Sequence, residues 1–322
     1  MRTDTALIDI GRKCFFALVV CLIACFIFTS SAVQAQTADA PPKINALLIT
    51  GQNNHPWHAT TPILQRLLEE SGRFTVSVAT TPTREDRDAD AEAFRRNMAA
   101  FKPNFANYDV IISDYNGVDW SPETMRAFEE YMKNGGGFVV YHAASNSFSN
   151  WLEYNRMIGL GGWNRGHLPA DAGMHLYWQD GGPVTSNEEG RPRGHHGPRW
   201  AYLIEVRTPE HPVMAGLPPA FRHSSDELYD FMWGPAENVT ILATAYASRD
   251  HHGSGRHEPV LLTVSYGEGR IFHTMLGCGP GPLSSVAFIE TFLRGAEWAA
   301  TGKVTFSVPN DFPGADEPSI RE

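Results

Sequence analysis

The chain has 322 residues, with 26 Lys and Arg against 36 Asp and Glu, for a formal charge of −10. That acidic balance argues against nucleic acid or an anionic membrane surface as partner, since both select cationic faces. Three of the four cysteines (Cys14, Cys21, Cys25) stand near the start. Only Cys278 is left in the remainder, so no disulfide holds the fold and a core must.

The first residues predict export. Arg2, Arg12 and Lys13 form a basic region, an apolar run follows from Cys14 to Phe28, and small and polar residues lead to Ala35. Val33 and Ala35 suit the −3 and −1 positions of a signal-peptidase site, which places cleavage after Ala35. The run is short of the roughly 18–20 residues that a membrane-spanning helix needs. Leu22-Ile23-Ala24-Cys25 has the look of a lipobox, but the apolar run continues past Cys25. The expectation is therefore a periplasmic or secreted protein with no stable membrane insertion after cleavage. Its parts are a signal peptide over 1–35, a linker over 36–43, one domain over 44–305, and a loose Pro- and acid-rich tail over 306–322.

Residues 44–50 read as a buried strand stopped by Gly51, followed by a polar loop to His58. Thr61-Pro62 is expected to open a helix with Ile63, Leu64, Leu67 and Leu68 on one face, ended by Gly72. Residues 74–79 alternate as a second strand, and 81–100 read as a charged, irregular connection with some helix. A third strand covers 108–114. Ser121 is an N-cap with Pro122 behind it, and Met125, Phe128 and Met132 form the buried stripe of the next helix. A fourth strand, Phe138 to Tyr141, runs into His142. Strands alternating with amphipathic helices predict a doubly wound, largely parallel α/β sheet. Residues 145–200 read as a long irregular insertion, a segment type that is usually functional in a compact domain. Strands resume at 200–207, 239–246, 259–265 and 269–276, and a helix with Phe288, Ile289, Phe292, Leu293 and Ala296 on one face closes the domain.

Ligands of open parallel sheets bind beyond the carboxyl ends of the strands. Those ends carry Asn53, Asn54, His55, Trp57 and His58 after the first strand and Asp114 and Asn116 after the third. His142-Ala143-Ala144-Ser145 follows the fourth, and His273 and Cys278 mark the last. All 13 histidines follow the expected cleavage point. His195-His196 and His251-His252 read as surface loops, and His211 before Pro212 as a turn former. Of Asp226 and Glu227, one is expected to point inward and the other to solvent. Trp57 and Trp163 offer faces on which a sugar ring stacks, although tryptophan in such numbers is also ordinary packing.

Three segments resemble the ThuA-like (trehalose utilisation) family: Gly137 to Ser145 with Gly161-Gly162-Trp163-Asn164-Arg165-Gly166-His167; His211-Pro212-Val213 through Asp226-Glu227-Leu228-Tyr229; and Tyr266 to Gly277. The opening Thr50-Gly51-Gln52-Asn53-Asn54-His55 fits as well. The resemblance spans about residues 44–303 and implies the class I glutamine amidotransferase-like (flavodoxin-like) fold and a link to sugar metabolism. One departure is Cys278, where the family often has histidine. The turn after the fourth strand, where an amidotransferase holds its cysteine, has none, so glutamine hydrolysis through a thioester is not expected.

The combined expectation is an enzyme acting on a sugar, keto-sugar or glycoside as a hydrolase, lyase or isomerase. His55, His142, His167 and Glu227 would converge on a divalent metal such as zinc. His142 and Glu227 would do the acid–base work, with Glu227 either a ligand or the proton carrier. Asn54, Trp57, Asn116, Trp163 and the backbone amides of Ala143 and Ala144 would bind a small-molecule carbohydrate. The competing readings are a non-catalytic carbohydrate binder using the same cleft and a thiol enzyme using Cys278.

Overall fold

The computed structural model describes residues 42–161, 173–187 and 192–321. The expected signal peptide and most of the linker lie outside the described residues, as do Trp163 and His167. No helix among the described residues is long and apolar enough to cross a membrane.

The first half alternates as its periodicity dictates. Strand β1 (Ile44–Thr50) leads to α1 (Trp57–Glu70), β2 (Phe74–Thr80), α2 (Arg84–Ala89), α3 (Ala91–Ala100), β3 (Val110–Ser113), α4 (Pro122–Lys133) and β4 (Gly137–Tyr141). Helix α1 starts earlier than Thr61-Pro62 suggests. The Pro56 carbonyl accepts from the Ala59 and Thr60 amides at 2.8 and 3.1 Å, so the first turn closes ahead of Pro62, which sits inside the helix. The charged stretch 81–100 forms two capped helices: Thr83 and Asp86 make a reciprocal capping box for α2, and Asp90 accepts from the Glu92 and Ala93 amides at the start of α3. Ser121 caps α4 by accepting from the Thr124 amide at 3.2 Å, with Pro122 in the first turn.

After β4 come α5 (Leu152–Ile158), the strands β5 (Met174–Gln179), β6 (Gly182–Ser186), β7 (His195–His196), β8 (Trp200–Val206), β9 (Ala220–Asp226), β10 (Tyr229–Asp230), β11 (Trp233–Gly234), β12 (Val239–Tyr246), β13 (His257–Tyr266) and β14 (Gly269–Thr274), then α6 (Pro280–Leu283) and α7 (Val286–Thr301). The segment 145–200 is thus less irregular than its composition implies, since its described part includes α5 and the antiparallel hairpin β5–β6. Strand β9 was not expected. Its sequence AFRHSSD lacks an apolar run, yet His223 and Asp226 are fully buried in it.

The main sheet has the order β2-β1-β3-β4-β14-β13-β12-β8-β9. The first five strands are mutually parallel and the rest antiparallel. Successive residues of each parallel strand face opposite sides. Ala46 and Leu48 pack with Leu64 and Leu68 of α1 and with Phe288 and Phe292 of α7. Leu47 and Ile49 pack on the other side with Met98 of α3 and with Phe128 and Met132 of α4. The molecule is therefore mixed α/β around a largely parallel sheet with helices on both faces. The C-terminal tail, expected to be loose, is instead held down. Arg321 reaches Glu290 and Asp311 at 2.8 Å, Ile320 bridges to Ser285, and Phe306 and Phe312 pack against the core.

Candidate functional site

The loop after β1 is shaped by Asp114, just past β3. Its Oδ1 accepts from Asn53 Nδ2 at 3.0 Å, and its Oδ2 accepts from the Thr60 and Thr61 hydroxyls at 2.8 Å each. Asn53 Oδ1 in turn accepts the His55 amide at 3.0 Å. Burial pushes the Asp114 carboxyl up to about 7, against the pull of these donors. One buried carboxyl therefore ties the loop that presents His55 to the start of α1.

His142 stands at the sharp turn where β4 ends, buried and in a left-handed conformation with φ of 43°. Such a conformation is costly for a residue with a Cβ and aims its side chain off the end of the sheet. Its Nδ1 lies 2.6 Å from the Met275 carbonyl, which only accepts, so Nδ1 carries the proton. When the ring is neutral its lone pair is on Nε2, the atom that the Tyr229 hydroxyl meets at 2.8 Å. His55 has the same arrangement: Nδ1 donates to the Cys278 carbonyl at 3.0 Å, leaving the Nε2 lone pair. Burial, then the proximity of His142, lowers the His55 pKa and favours the neutral ring. Two imidazoles pinned through Nδ1–H to backbone carbonyls are oriented as metal-binding histidines commonly are.

Glu227 follows β9 and closes the group. Its Oε2 is 3.6 Å from His142 Nε2 and 3.8 Å from His196 Nε2, and its Oε1 is 3.5 Å from the Arg199 guanidinium. Burial pushes the carboxyl up, but the neighbouring histidines, His142 first, pull it below its ordinary value. Oε2 is buried without a hydrogen bond among the described residues. With the ring neutral a carboxylate oxygen faces an imidazole lone pair, an acceptor opposite an acceptor, and a proton or a cation between them makes the pair favourable. Ligand atoms of His55, His142 and Glu227 lie within 4.8 Å of one another. Around a tetrahedral ion with bonds near 2 Å, such atoms stand roughly 3.3 Å apart, so a modest contraction fits them to one. A cation on His142 Nε2 has to displace the Tyr229 hydroxyl.

Asp226 underlies this arrangement. Expectation had one of Asp226 and Glu227 facing solvent, whereas both are buried. Asp226 Oδ2 accepts from His223 Nε2 at 2.9 Å and the Gly277 amide at 2.6 Å. Its Oδ1 accepts from the Glu227 amide at 2.9 Å and the Cys278 amide at 3.0 Å. It therefore sets Glu227 directly and His55 through the Cys278 carbonyl. The Cys278 side chain is fully buried, and burial followed by Asp226 pushes its thiol well up, which speaks against a nucleophilic role.

Three of the four expected metal ligands come together, and the fourth, His167, lies outside the described residues, as does Trp163. Asn54 and Asn116 meet, with Asn116 Nδ2 donating to Asn54 Oδ1 at 2.6 Å. Trp57 is half-buried in the first turn of α1, its ring 3.5 Å from that of His58. Ala143 and Ala144 bury their side chains in the 3₁₀ turn after β4, so only their backbones are candidates for ligand contact. Sequence reasoning missed His196, Arg199 and Tyr229. Tyr229 had a signal, because it stands two residues past Glu227 in an apolar, aromatic context. His196 did not, since it reads as an exposed loop residue until β7 pairs with β10 and sets it opposite Tyr229.

The profile of the family ThuA, described as trehalose utilisation, matches residues 45–299. Among solved structures, a ThuA-like protein from Parabacteroides merdae is 45% identical with a TM-score of 0.80, over 87% of this chain and 98% of that one. A ThuA-like protein from Bacteroides uniformis is 18% identical with a TM-score of 0.54, over 82% of this chain and 94% of that one, a likeness of fold alone. No curated protein matches the chain. With most of its length inside the family profile and a close structural relative matched nearly end to end, the chain belongs to the ThuA-like family, linked to trehalose utilisation in carbohydrate metabolism.

Proposed function

We propose that the protein is an exported, metal-assisted enzyme that transforms a sugar, keto-sugar or glycoside by acid–base chemistry. The observation that carries this reading is the buried Glu227 Oε2, without a hydrogen bond among the described residues, facing Nε2 of His142 with His55 beside them. These three residues would hold a divalent ion such as zinc, which would supply a Lewis acid for a carbonyl or glycosidic oxygen. His55 and His142 are held by their Nδ1 bonds, so neither has to reorganise to bind. Glu227, ionised and edged by His196 and Arg199, is the group able to take a proton from a sugar hydroxyl or carbon acid. The Tyr229 hydroxyl, already placed on His142 Nε2, is a donor able to turn to a substrate oxygen. Parallel strands in the order β2-β1-β3-β4-β14 with helices on both faces support the amidotransferase-like, flavodoxin-like reading of the fold. Amidotransferase chemistry is not part of the proposal, because His142 stands where a thiol would be needed.

Elemental analysis of the purified protein, with and without chelator, tests the reading, alongside turnover of keto-sugars and disaccharides. Bound stoichiometric metal, lost in His142→Ala and in Glu227→Gln together with turnover, is the expected result. A metal-free protein that still binds sugar would favour the non-catalytic binder. Turnover surviving both chelation and His142→Ala would end the metal-assisted reading. N-terminal sequencing of the exported protein should begin near Gln36, and a lipid on Cys25 or a retained leader would overturn cleavage after Ala35.

A further inference from the structure

A second feature lies beside the candidate metal group. A polar cleft of about 560 Å³ opens between the loops that leave β1, β3 and β4, with α2 along one side. In the sheet order the chain runs from β1 outward to β2 and then returns to the other side of β1 as β3. The connections leaving β1 and β3 therefore pack on opposite faces, and the crevice between them is where open α/β sheets take their ligands. The cleft abuts the candidate metal group through the chain: Asn54 on its wall precedes His55, and Asn146 ends the 3₁₀ turn that His142 begins.

The lining has a definite chemistry. The Asn54–Asn116 bond leaves Asn54 Nδ2 as donor and Asn116 Oδ1 as acceptor, and neither makes another bond among the described residues. Asn146 Oδ1 is a buried acceptor without a donor among the described residues. Donors and acceptors offered together are the complement of sugar hydroxyls, each of which does both. Two guanidiniums join them. Arg84 hydrogen-bonds the Asn116 carbonyl at 3.5 Å, and no carboxylate among the described residues pairs with it. Arg87 leans on its exposed neighbour Asp88 at 3.2 Å. Among the described lining residues Asp119 is the carboxylate, and with Arg87 shared by Asp88 the guanidinium of Arg84 is the cleft's unpaired charge in a protein of net charge −10.

The geometry points to this cleft as a binding site for a sugar unit bearing an oxyanion, a carboxylate or a phosphate, with Arg84 and Arg87 as its anion-recognising groups and Asn54, Asn116 and Asn146 as its hydroxyl-binding groups. The proposal rests on the carbohydrate reading above but not on the metal. Arg forks match both oxyanions, which is why the chemistry they share defines the site.

Calorimetric titration of the purified protein in chelator, with D-gluconate, glucose 6-phosphate and glucose as probes, tests it. At least one anionic probe should bind roughly tenfold or more tighter than glucose, the gain expected of charge-assisted hydrogen bonds, and that gain should shrink with added salt. Which of the two anions binds tighter identifies the oxyanion. The double variant Arg84→Ala, Arg87→Ala should abolish the preference while its melting temperature stays unchanged. Should that variant prove unstable, Arg84→Lys with Arg87→Lys keeps the charge, removes the fork, and should lose most of the preference. Equal binding of glucose and the anions, absence of anion binding, or a preference that survives the arginine variants would overturn the proposal. Because chelator is present throughout, its failure is distinguishable from failure of the metal reading, which elemental analysis decides.

Discussion

Asp226→Asn offers a direct test of how the site is held. The change is nearly isosteric, but the carboxylate accepts from four donors: His223 Nε2, and the amides of Gly277, Cys278 and Glu227. An asparagine keeps one acceptor oxygen and places an NH2 at the other position. With the oxygen kept toward Glu227 and Cys278, the NH2 meets the Gly277 amide, now 2.6 Å from Oδ2, donor against donor. His223 is able to change tautomer because its Nδ1 partner, the Ser285 hydroxyl at 3.1 Å, both donates and accepts; Gly277 has no such escape. One buried N–H without an acceptor costs about 1–3 kcal/mol, and loss of charge assistance in the remaining bonds adds about 1–2. The expected loss is therefore about 2–5 kcal/mol, a large part of the roughly 5–15 kcal/mol typical of a domain. Urea unfolding should show a lower midpoint with an unchanged slope.

The same variant carries a pH signature. Burial alone would raise the Asp226 pKa, but the His223 hydrogen bond and nearby charges hold it below the ordinary carboxylate value. A depressed folded-state pKa gives stability that is present above the unfolded pKa, near 3.9, and is lost as pH falls from there through the folded value. The gap between wild type and Asp226→Asn should therefore be constant from pH 5 upward and narrow in acid below about pH 4. A loss under about 1 kcal/mol, or a gap that does not narrow in acid, would refute the view of Asp226 as an ionised four-donor anchor.

Asp114 should behave in the opposite sense. Its folded pKa of about 7 exceeds the unfolded value near 3.9, so the stability it contributes is lost as pH rises from about 4 and is gone by about 7. Asp114→Asn should therefore gain on wild type from about pH 4 to about pH 7 and hold a constant gap above that, and the protonated carboxyl band in the infrared spectrum at pH 6 should weaken in the variant. Cys278→Ser should keep turnover or sugar affinity within about threefold, since the thiol is buried and its pKa is raised; a thousandfold loss without unfolding would favour thiol chemistry. If the site binds a metal, zinc at about 100 times its Kd should stabilise the protein by about 2.7 kcal/mol, read as a rise in melting temperature that chelator reverses. No rise with zinc, cobalt or manganese would count against the triad as a metal site.

Local patterns determined the first half of this molecule. The buried run 44–50, the N-cap Ser121 with Pro122, and the strand that ends at Tyr141 each follow from periodicity and capping, which act over a few residues and so are visible in one chain. Strand-end logic also brought out His55 and His142, because a parallel sheet delivers its carboxyl ends to one edge whatever the loops contain. Strand β9 was hidden because its pairing and burial, rather than its composition, make it a strand. His223 and Asp226 are tolerated there only because they hydrogen-bond to each other and to the turn at Gly277, which lies about fifty residues further along the chain. The tertiary structure alone decided that Asp226 faces inward beside Glu227, that β7 pairs with β10 to bring His196 over the site, and that Tyr229 caps His142. Those contacts join segments whose separation no local propensity encodes. They exist because buried polar groups must find partners, and for these the partners come from segments distant along the chain.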